Sequence, residues 1–116
     1  MSSVWNIRLT QTAEADFQHI IRWTVTHFGR RQGKTYAKIL TMAISDLSNG
    51  PDILGVRQRE DVGSGIFTLH VARKGRRGRH SLVFRVGHSV SAPTIDVLRI
   101  LHEAMDLERH LPEAEN

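Results

Sequence analysis

Apolar and polar residues alternate near the start of the chain and then change to a helical period. Trp5, Ile7 and Leu9 share one face of residues 4–10, which predicts a half-buried strand. From Thr12, the predicted N-cap, apolar side chains recur every three or four positions up to Phe28. That period predicts a first helix, which ends at Gly29.

A second helical pattern covers residues 31–48 and ends at Asn49-Gly50-Pro51, where proline prevents a helix from continuing. Because Gly29 alone separates the two patterns, we expect the helices to fold back as an antiparallel hairpin. After Pro51 the period becomes two, and strands are predicted over residues 56–60, 67–71, 82–86 and 94–101. A short C-terminal helix is predicted over residues 103–111.

These elements predict one α+β domain over residues 1–116. It has an N-terminal strand, an antiparallel helical hairpin, an antiparallel sheet of three to four further strands and a short C-terminal helix. The length of 116 residues suits a single core. We expect the hairpin of helices to cover the apolar face of the sheet.

The composition of the chain excludes several kinds of functional site. The chain has no cysteine, so disulfides, a thiol nucleophile and thiolate metal sites are excluded. No spacing completes a metal site, a phosphate-binding loop or a nucleophile elbow, so no metal and no cofactor are expected. No run of about 18 apolar residues predicts a membrane span, and the N-terminus does not resemble a signal peptide, so a cytoplasmic protein is expected.

Charge is concentrated in one short stretch. The whole chain has a net charge of +4, whereas residues 73–85 alone carry +6 and residues 96–116 carry −4. The basic tract contains no acid and falls on a predicted hairpin loop. We therefore expect it to form a surface for an acidic partner or DNA, although a merely solvated loop is the alternative.

A string near the C-terminus is more specific. Arg99-Ile-Leu-His102 is followed by Met105-Asp106 and Arg109-His-Leu111, and Gly78-Arg-His80 lies upstream. This string and the order of elements resemble the ParE branch of the RelE/ParE toxins of bacterial type II toxin–antitoxin modules. The resemblance covers about residues 7–111 and marks Arg99, His102, Asp106 and Arg109 as a structural motif.

The resemblance implies a toxin that traps DNA gyrase by binding, with DNA contacted through gyrase. It also implies a cognate ParD-like antitoxin that forms a hetero-oligomer with the toxin, and no membrane partner. For the target, the basic tract and its neighbours are the candidate residues: Arg73, Lys74, Arg76, Arg77, Arg79, His80 and Arg85. For the antitoxin, the candidates are apolar residues of the helices and sheet: Ile20, Trp23, Leu40, Leu82 and Phe84.

Two rivals remain open. RelE-type relatives cleave mRNA on the ribosome, and Arg79, His80, Arg85 and His102 are the residues that could form such a site. The absence of a C-terminal tyrosine and the acidic C-terminal segment disfavour this activity, because acids repel a scissile phosphate. The toxin is therefore expected to lack enzymatic activity. The other rival is a plain nucleic-acid-binding module that uses the Arg-rich hairpin.

Two residues of the C-terminal motif have structural interpretations. Arg99 lies in an apolar strand, and we expect it to pair with Asp96, Glu103 or Asp106 rather than remain unpaired. His102 is predicted to end that strand and bond a backbone carbonyl. For Trp23, core packing and a partner contact are equally compatible with its position beside the apolar stripe of the first helix.

Overall fold

The computed structural model of the protein describes residues 4–87 and 92–105. It confirms the α+β class. Strand β1 (Asn6–Leu9) is followed by helices α1 (Gln11–Phe28) and α2 (Arg30–Asp46), and a short 3-10 turn (Leu47–Asn49) extends α2. The later strands are β2 (Arg57–Gln58), β3 (Phe67–His70), β4 (His80–Val86) and β5 (Thr94–His102).

The five strands form one sheet in the order β1-β5-β4-β3-β2. Strands β2 to β5 pair antiparallel, as the hairpin signals predicted. Strand β1 instead pairs parallel with β5, with Asn6 opposite Thr94 and Leu9 opposite Val97. The sheet is therefore mixed, and β5 lies between β1 and β4.

Helix α1 begins two residues earlier than predicted. Its N-cap is Thr10, whose side-chain oxygen accepts a hydrogen bond from the Ala13 amide at 3.1 Å, so Thr12 lies inside the helix. The Thr10 hydroxyl also donates to the Leu98 carbonyl of β5 at 3.0 Å. The same side chain thus caps the helix and ties its first turn to the sheet.

The helical hairpin covers one face of the sheet and buries the main core with it. That core includes three residues that were predicted to contact an antitoxin, namely Leu40, Leu82 and Phe84, and each is 0% exposed. Fully buried side chains offer no surface to a partner, so this prediction is wrong for these three. Their apolar periodicity reflected core packing.

The opposite face of the sheet carries a second apolar cluster of Ile66, Val83, Leu98 and Leu101. The β4–β5 register shifts by one residue here, from Phe84 opposite Val97 to Val83 opposite Arg99. Leu98 is the extra residue, and such a bulge changes the direction of the side chains that follow it.

The predicted C-terminal helix falls largely outside the described residues. Within them, β5 ends at His102 and residues 103–105 form a turn, so a helix does not begin at Glu103. Asp106 and Arg109, two members of the predicted structural motif, also lie outside the described residues.

Candidate partner-binding groove

An open groove of about 790 Å³ lies where α1, the start of α2 and the end of β5 meet. We call it the groove. Its walls come from five segments of the chain, and its lining residues are Asp16, His19, Ile20, Trp23, Thr24, Phe28, Gln32, Tyr36, Gly78, Arg79, His80, Arg99, Ile100, Leu101, His102 and Met105. Ile20, Trp23, Arg79, His80, Arg99 and His102, which the sequence singled out separately, are therefore brought together.

One part of the groove is apolar and exposed. Trp23 is 52% exposed, Phe28 65% and Met105 45%. Trp23 stacks on His27 with ring centroids 4.1 Å apart, which holds the indole in place. Exposed aromatic side chains beside partly buried Ile20 provide the kind of surface that a partner's apolar side chains cover.

The other part of the groove is polar and is built around Tyr36. Its hydroxyl oxygen lies 2.6 Å from Nδ1 of His80 and accepts a hydrogen bond from the Arg79 amide at 3.0 Å. The His80 and His102 rings meet edge to face, with centroids 5.3 Å apart. We call Tyr36, Arg79, His80 and His102 the groove end.

Burial sets the protonation of the groove end. Burial, followed by repulsion from His102 and His70, lowers the pKa of His80 to about 4. Burial also raises the pKa of Tyr36 above its usual value. At neutral pH the groove end therefore presents a neutral imidazole at His80 and a protonated phenol at Tyr36, and Arg79, whose side chain is 75% exposed, carries a positive charge beside them.

Gly78 allows the hairpin loop to approach Tyr36. A Cβ at this position would lie 2.5 Å from Cγ2 of Val71 and 3.0 Å from the Tyr36 hydroxyl oxygen. Only glycine fits between these two side chains without a shift of the loop. The Gly78-Arg-His80 string therefore positions the groove end.

The basic tract contains no acid of its own, but the fold supplies a counter-charge from another element. Asp46, at the end of α2, accepts hydrogen bonds from Arg73 at 2.5 Å and from Arg76 at 2.6 Å, and Lys74 is 3.4 Å away. Burial works to raise the pKa of Asp46, but the bonds from Arg76 and Arg73 lower it overall. We call Arg73, Arg76 and Asp46 the loop anchor.

Turn chemistry explains why two arginines reach one carboxylate. Lys74 and Gly75 have φ of 54° and 80°, and the Arg76 amide donates to the Arg73 carbonyl at 3.0 Å. Two central residues with positive φ are the mark of a type I′ turn, in which the flanking residues lie side by side. Arg73 and Arg76 flank this turn, and the Arg76 side chain is only 9% exposed.

The remaining target-binding candidates separate into three places. Arg79 and His80 lie at the groove end, and Lys74 and Arg77 are exposed on the loop. Arg85 lies on β4, with its Nε 4.0 Å from an oxygen of Asp96, and it does not line the groove. The seven residues therefore do not form one surface, and their role in target binding stays a prediction.

Arg99 is paired, but with an acid that the sequence did not indicate. Asp16 of α1 accepts hydrogen bonds from Nε and Nη2 of Arg99 at 2.8 and 2.9 Å and from the Ile100 amide at 2.9 Å. Asp96 instead lies 2.9 Å from Nε of Arg8. These hydrogen bonds fasten the first turns of α1 to the edge of β5 beyond the end of β1.

His102 ends β5 as predicted, but its bonding differs from the prediction. Its Nδ1 accepts a hydrogen bond from the Ala104 amide at 3.1 Å, and within the described residues the ring donates to no carbonyl. No three described His, Asp or Glu side chains come close enough together to hold a metal ion.

Three residues of the site were missed from the sequence: Asp16, Tyr36 and Asp46. Tyr36 is the only tyrosine in the chain, but its position on the apolar stripe of α2 indicated core packing. Asp16 and Asp46 lie 83 and 27 residues from the arginines Arg99 and Arg73 that they bind. The helical pattern accounts for the position of each acid on its own helix, but it does not indicate the arginine that each acid binds in another element.

Comparison with known proteins identifies the family. The sequence model of the ParE toxin of the type II toxin–antitoxin system parDE matches residues 7–107. The chain belongs to the ParE toxin family. It is a toxin of the type II toxin–antitoxin class.

Named relatives agree with this ParE assignment. Toxin ParE1 of Mycobacterium tuberculosis is 32% identical over 89% of this chain and 94% of its own length. Toxin ParE1 of Caulobacter vibrioides is 29% identical over 90% of this chain and 95% of its own length.

The fold is shared with a chain of a chromosomal ParDE system of P. aeruginosa, with a TM-score of 0.61 and 21% identity over 85% of this chain and 96% of that one. It is also shared with a chain of the RelBE2 toxin–antitoxin complex of Mycobacterium tuberculosis. That match has a TM-score of 0.54 and 22% identity over 90% of this chain and 98% of the other. Among the described residues of this ParE-family chain, no helix is long and apolar enough to cross a membrane.

Proposed function

We propose that this ParE-family toxin acts by binding DNA gyrase and that a cognate ParD-like antitoxin neutralises it by occupying the groove. The observation that carries the antitoxin part is the groove itself, with Trp23, Phe28 and Met105 exposed along it. An amphipathic segment that covers these side chains would bury apolar surface, which is the usual driving force when a disordered segment folds on its partner.

The charges of the groove and of the basic loop favour binding over catalysis. Cleavage of RNA needs a base, an acid and cations for the developing negative charge on phosphorus. Arg99 is bound to Asp16, and Arg73 and Arg76 are bound to Asp46. Glu103 lies beside Arg79, with an N–O distance of 3.9 Å. Acids therefore accompany the cations, which weakens the site for a phosphate.

An mRNA endoribonuclease is the second candidate function, because the groove contains three of the four residues that could form a nuclease site. Arg79, His80 and His102 lie at the groove end, whereas Arg85 lies elsewhere on the sheet. A neutral His80 is the protonation state that a general base requires. The two functions predict different products and are separated by direct assay.

Purified toxin added to gyrase and supercoiled plasmid tests the first function. We expect linear DNA to accumulate and supercoiling to stop, while primer extension on cellular mRNA shows no new ends after induction. New mRNA ends together with uninhibited gyrase would assign the chain to the nuclease class. Induced cells should filament before protein synthesis declines.

Co-expression with the product of the adjacent open reading frame tests the antitoxin. We expect a stable complex and restored growth. Trp23→Ala should weaken the complex by about tenfold or more, because truncation of a central aromatic contact often costs over about 1.4 kcal/mol. Leu54→Ala is the matched control, since Leu54 is 91% exposed and does not line the groove. Equal effects of the two variants would contradict the groove as the antitoxin site.

A further inference from the structure

Backbone amides determine the tautomer of two histidines near the groove. The Ala104 amide donates to Nδ1 of His102 at 3.1 Å, and the Ala72 amide donates to Nδ1 of His70 at 3.0 Å. A backbone amide can only donate, so both Nδ1 atoms are acceptors and both rings carry their proton on Nε2.

Tyr36 fixes His80 in the same tautomer. Its oxygen already accepts a hydrogen bond from the Arg79 amide, and its own proton has His80 Nδ1 as the one acceptor in the described part of the chain. We therefore assign the O–H as the donor to Nδ1 over 2.6 Å, which places the proton of His80 on Nε2. A phenol with a raised pKa keeps this proton at neutral pH.

The three Nε2 protons differ in what they bind. That of His70 donates to the carboxylate of Glu103 at 2.9 Å. Those of His80 and His102 have no hydrogen-bond partner within residues 4–87 and 92–105, although both rings line the groove. The guanidinium of Arg79, 75% exposed, lies at the same end.

We propose that the groove end is a carboxylate-binding subsite, in which Nε2 of His80, Nε2 of His102 and the Arg79 guanidinium hold an Asp or Glu side chain of the antitoxin segment. That the occupant is the antitoxin rests on the proposed function. The assignment of Nε2 of His80 and of His102 as donors rests instead on the tautomers of the two rings. A carboxylate only accepts hydrogen bonds and so matches a set of groups that only donate.

The acids already present do not fill this role. Asp16 is neutralised by Arg99, with both oxygens in hydrogen bonds. Glu103 is held by His70 and lies 3.9 Å from Nη1 of Arg79, beyond hydrogen-bond distance. The His70–Glu103 pair shows, within the same molecule, that this histidine tautomer takes a carboxylate.

Imidazole nitrogen NMR tests the subsite without any antitoxin. We expect Nε2–H tautomers for His70, His80 and His102 at neutral pH. Titration with acetate at constant ionic strength should shift the Nε2 signals of His80 and His102 in a saturable way, whereas acetamide should not. An Nδ1–H tautomer at His80 or His102, or equal responses to acetate and acetamide, would overturn the subsite.

Paired substitutions assign the donor. His102→Asn keeps an acceptor for the Ala104 amide but is too short to place an N–H where Nε2 stood, whereas His102→Gln supplies a side-chain N–H at that position. We expect His102→Asn to abolish the acetate response and to weaken antitoxin binding by about tenfold, the loss typical of a hydrogen bond to a charged group, while His102→Gln retains both. His19→Asn is the control for the acetate response, because His19 lies on α1 outside the groove end.

The outcomes separate the two proposals. A saturable acetate response in a protein that no antitoxin binds would support the subsite and contradict the proposed neutralisation. An antitoxin that binds the parent and His102→Asn equally would overturn the assignment of its carboxylate to this subsite while leaving the groove as its docking site.

Discussion

The loop anchor and the groove end lie at the two ends of one basic hairpin loop, and they use their polar groups in different ways. In the loop anchor, Arg73 and Arg76 donate inward to Asp46. In the groove end, Arg79 is exposed, and the histidine Nε2 donors have no partner in the described part of the chain. Cations adjacent in sequence therefore serve folding at one end of the loop and remain available to a partner at the other.

This difference shows why a local net charge is an incomplete guide to a binding surface. The +6 of residues 73–85 counts every cation equally, although Asp46 lies outside this tract and compensates part of it. What separates the two clusters is the type I′ turn, which directs two side chains toward α2. Substitutions at each end of the loop are therefore expected to give opposite phenotypes.

Asp46→Ala should have the largest effect on stability. It removes the acceptor of two guanidinium groups whose side chains are 15% and 9% exposed. Breaking a buried ion pair from one side commonly costs 3–5 kcal/mol, so we expect a loss of about 3 kcal/mol in denaturant unfolding. Asp61→Ala is the control and should leave the free energy of unfolding nearly unchanged, because its pair with Arg59 is largely exposed. Equal losses would show that the loop anchor does not stabilise the fold.

Arg99→Ala should cost less, about 2 kcal/mol, because Asp16 keeps its hydrogen bond from the Ile100 amide. The Arg99 and Asp16 side chains are 19% and 15% exposed, so this pair is also largely buried. Thermal melting measured beside a growth assay checks the role. A variant that melts like the parent but has lost toxicity would show that Arg99 contacts the target and is not chiefly structural.

Acid should destabilise the groove end more than the loop anchor. The pKa of His80 is about 4 in the folded protein and about 6.5 when unfolded, so between these values the unfolded chain binds a proton that the folded chain does not. Stability therefore falls as the pH falls from 6.5 toward 4. His102, His70, Glu103 and Asp16 are the charged or titrating groups that act on His80.

Unfolding at pH 7 and pH 5 measures this effect. His80→Asn, which retains an acceptor for the Tyr36 hydroxyl, should lose less stability over this interval than the parent. The window stays above the pH at which Glu103, whose pKa is lowered by its bond from His70, would gain a proton. Parallel losses in parent and variant would assign the pH dependence to another group.

The double variant Arg77→Ala/Arg79→Ala should change stability least, by about 0.5 kcal/mol or less, because both side chains are exposed. It should nevertheless weaken target or antitoxin binding. Adding Arg76→Ala should reduce stability, since Arg76 belongs to the loop anchor. If all three substitutions proved equally neutral in unfolding, the division of the loop into two functions would fail.

Much of the fold was predictable because its signals are local. The period of apolar residues located α1 and α2, and the alternation located β3 to β5 within one or two residues. The parallel pairing of β1 with β5 was not predictable, because alternation in a strand does not specify its neighbour. The ion pairs of Asp16 and Asp46 were not predictable for the same reason, since the tertiary structure determines which arginines these acids contact.

The parallel pairing of β1 with β5 has a consequence for how the toxin is made. Strand β5 lies between β1 and β4, and it is the last of the described strands to be synthesised. Contacts between residues about 88 positions apart form slowly, because a long loop must close before they are made. A nascent chain that ends before Thr94 lacks strand β5 and with it one wall of the groove, so the sheet and the surface that we propose for the antitoxin are completed together, late in synthesis.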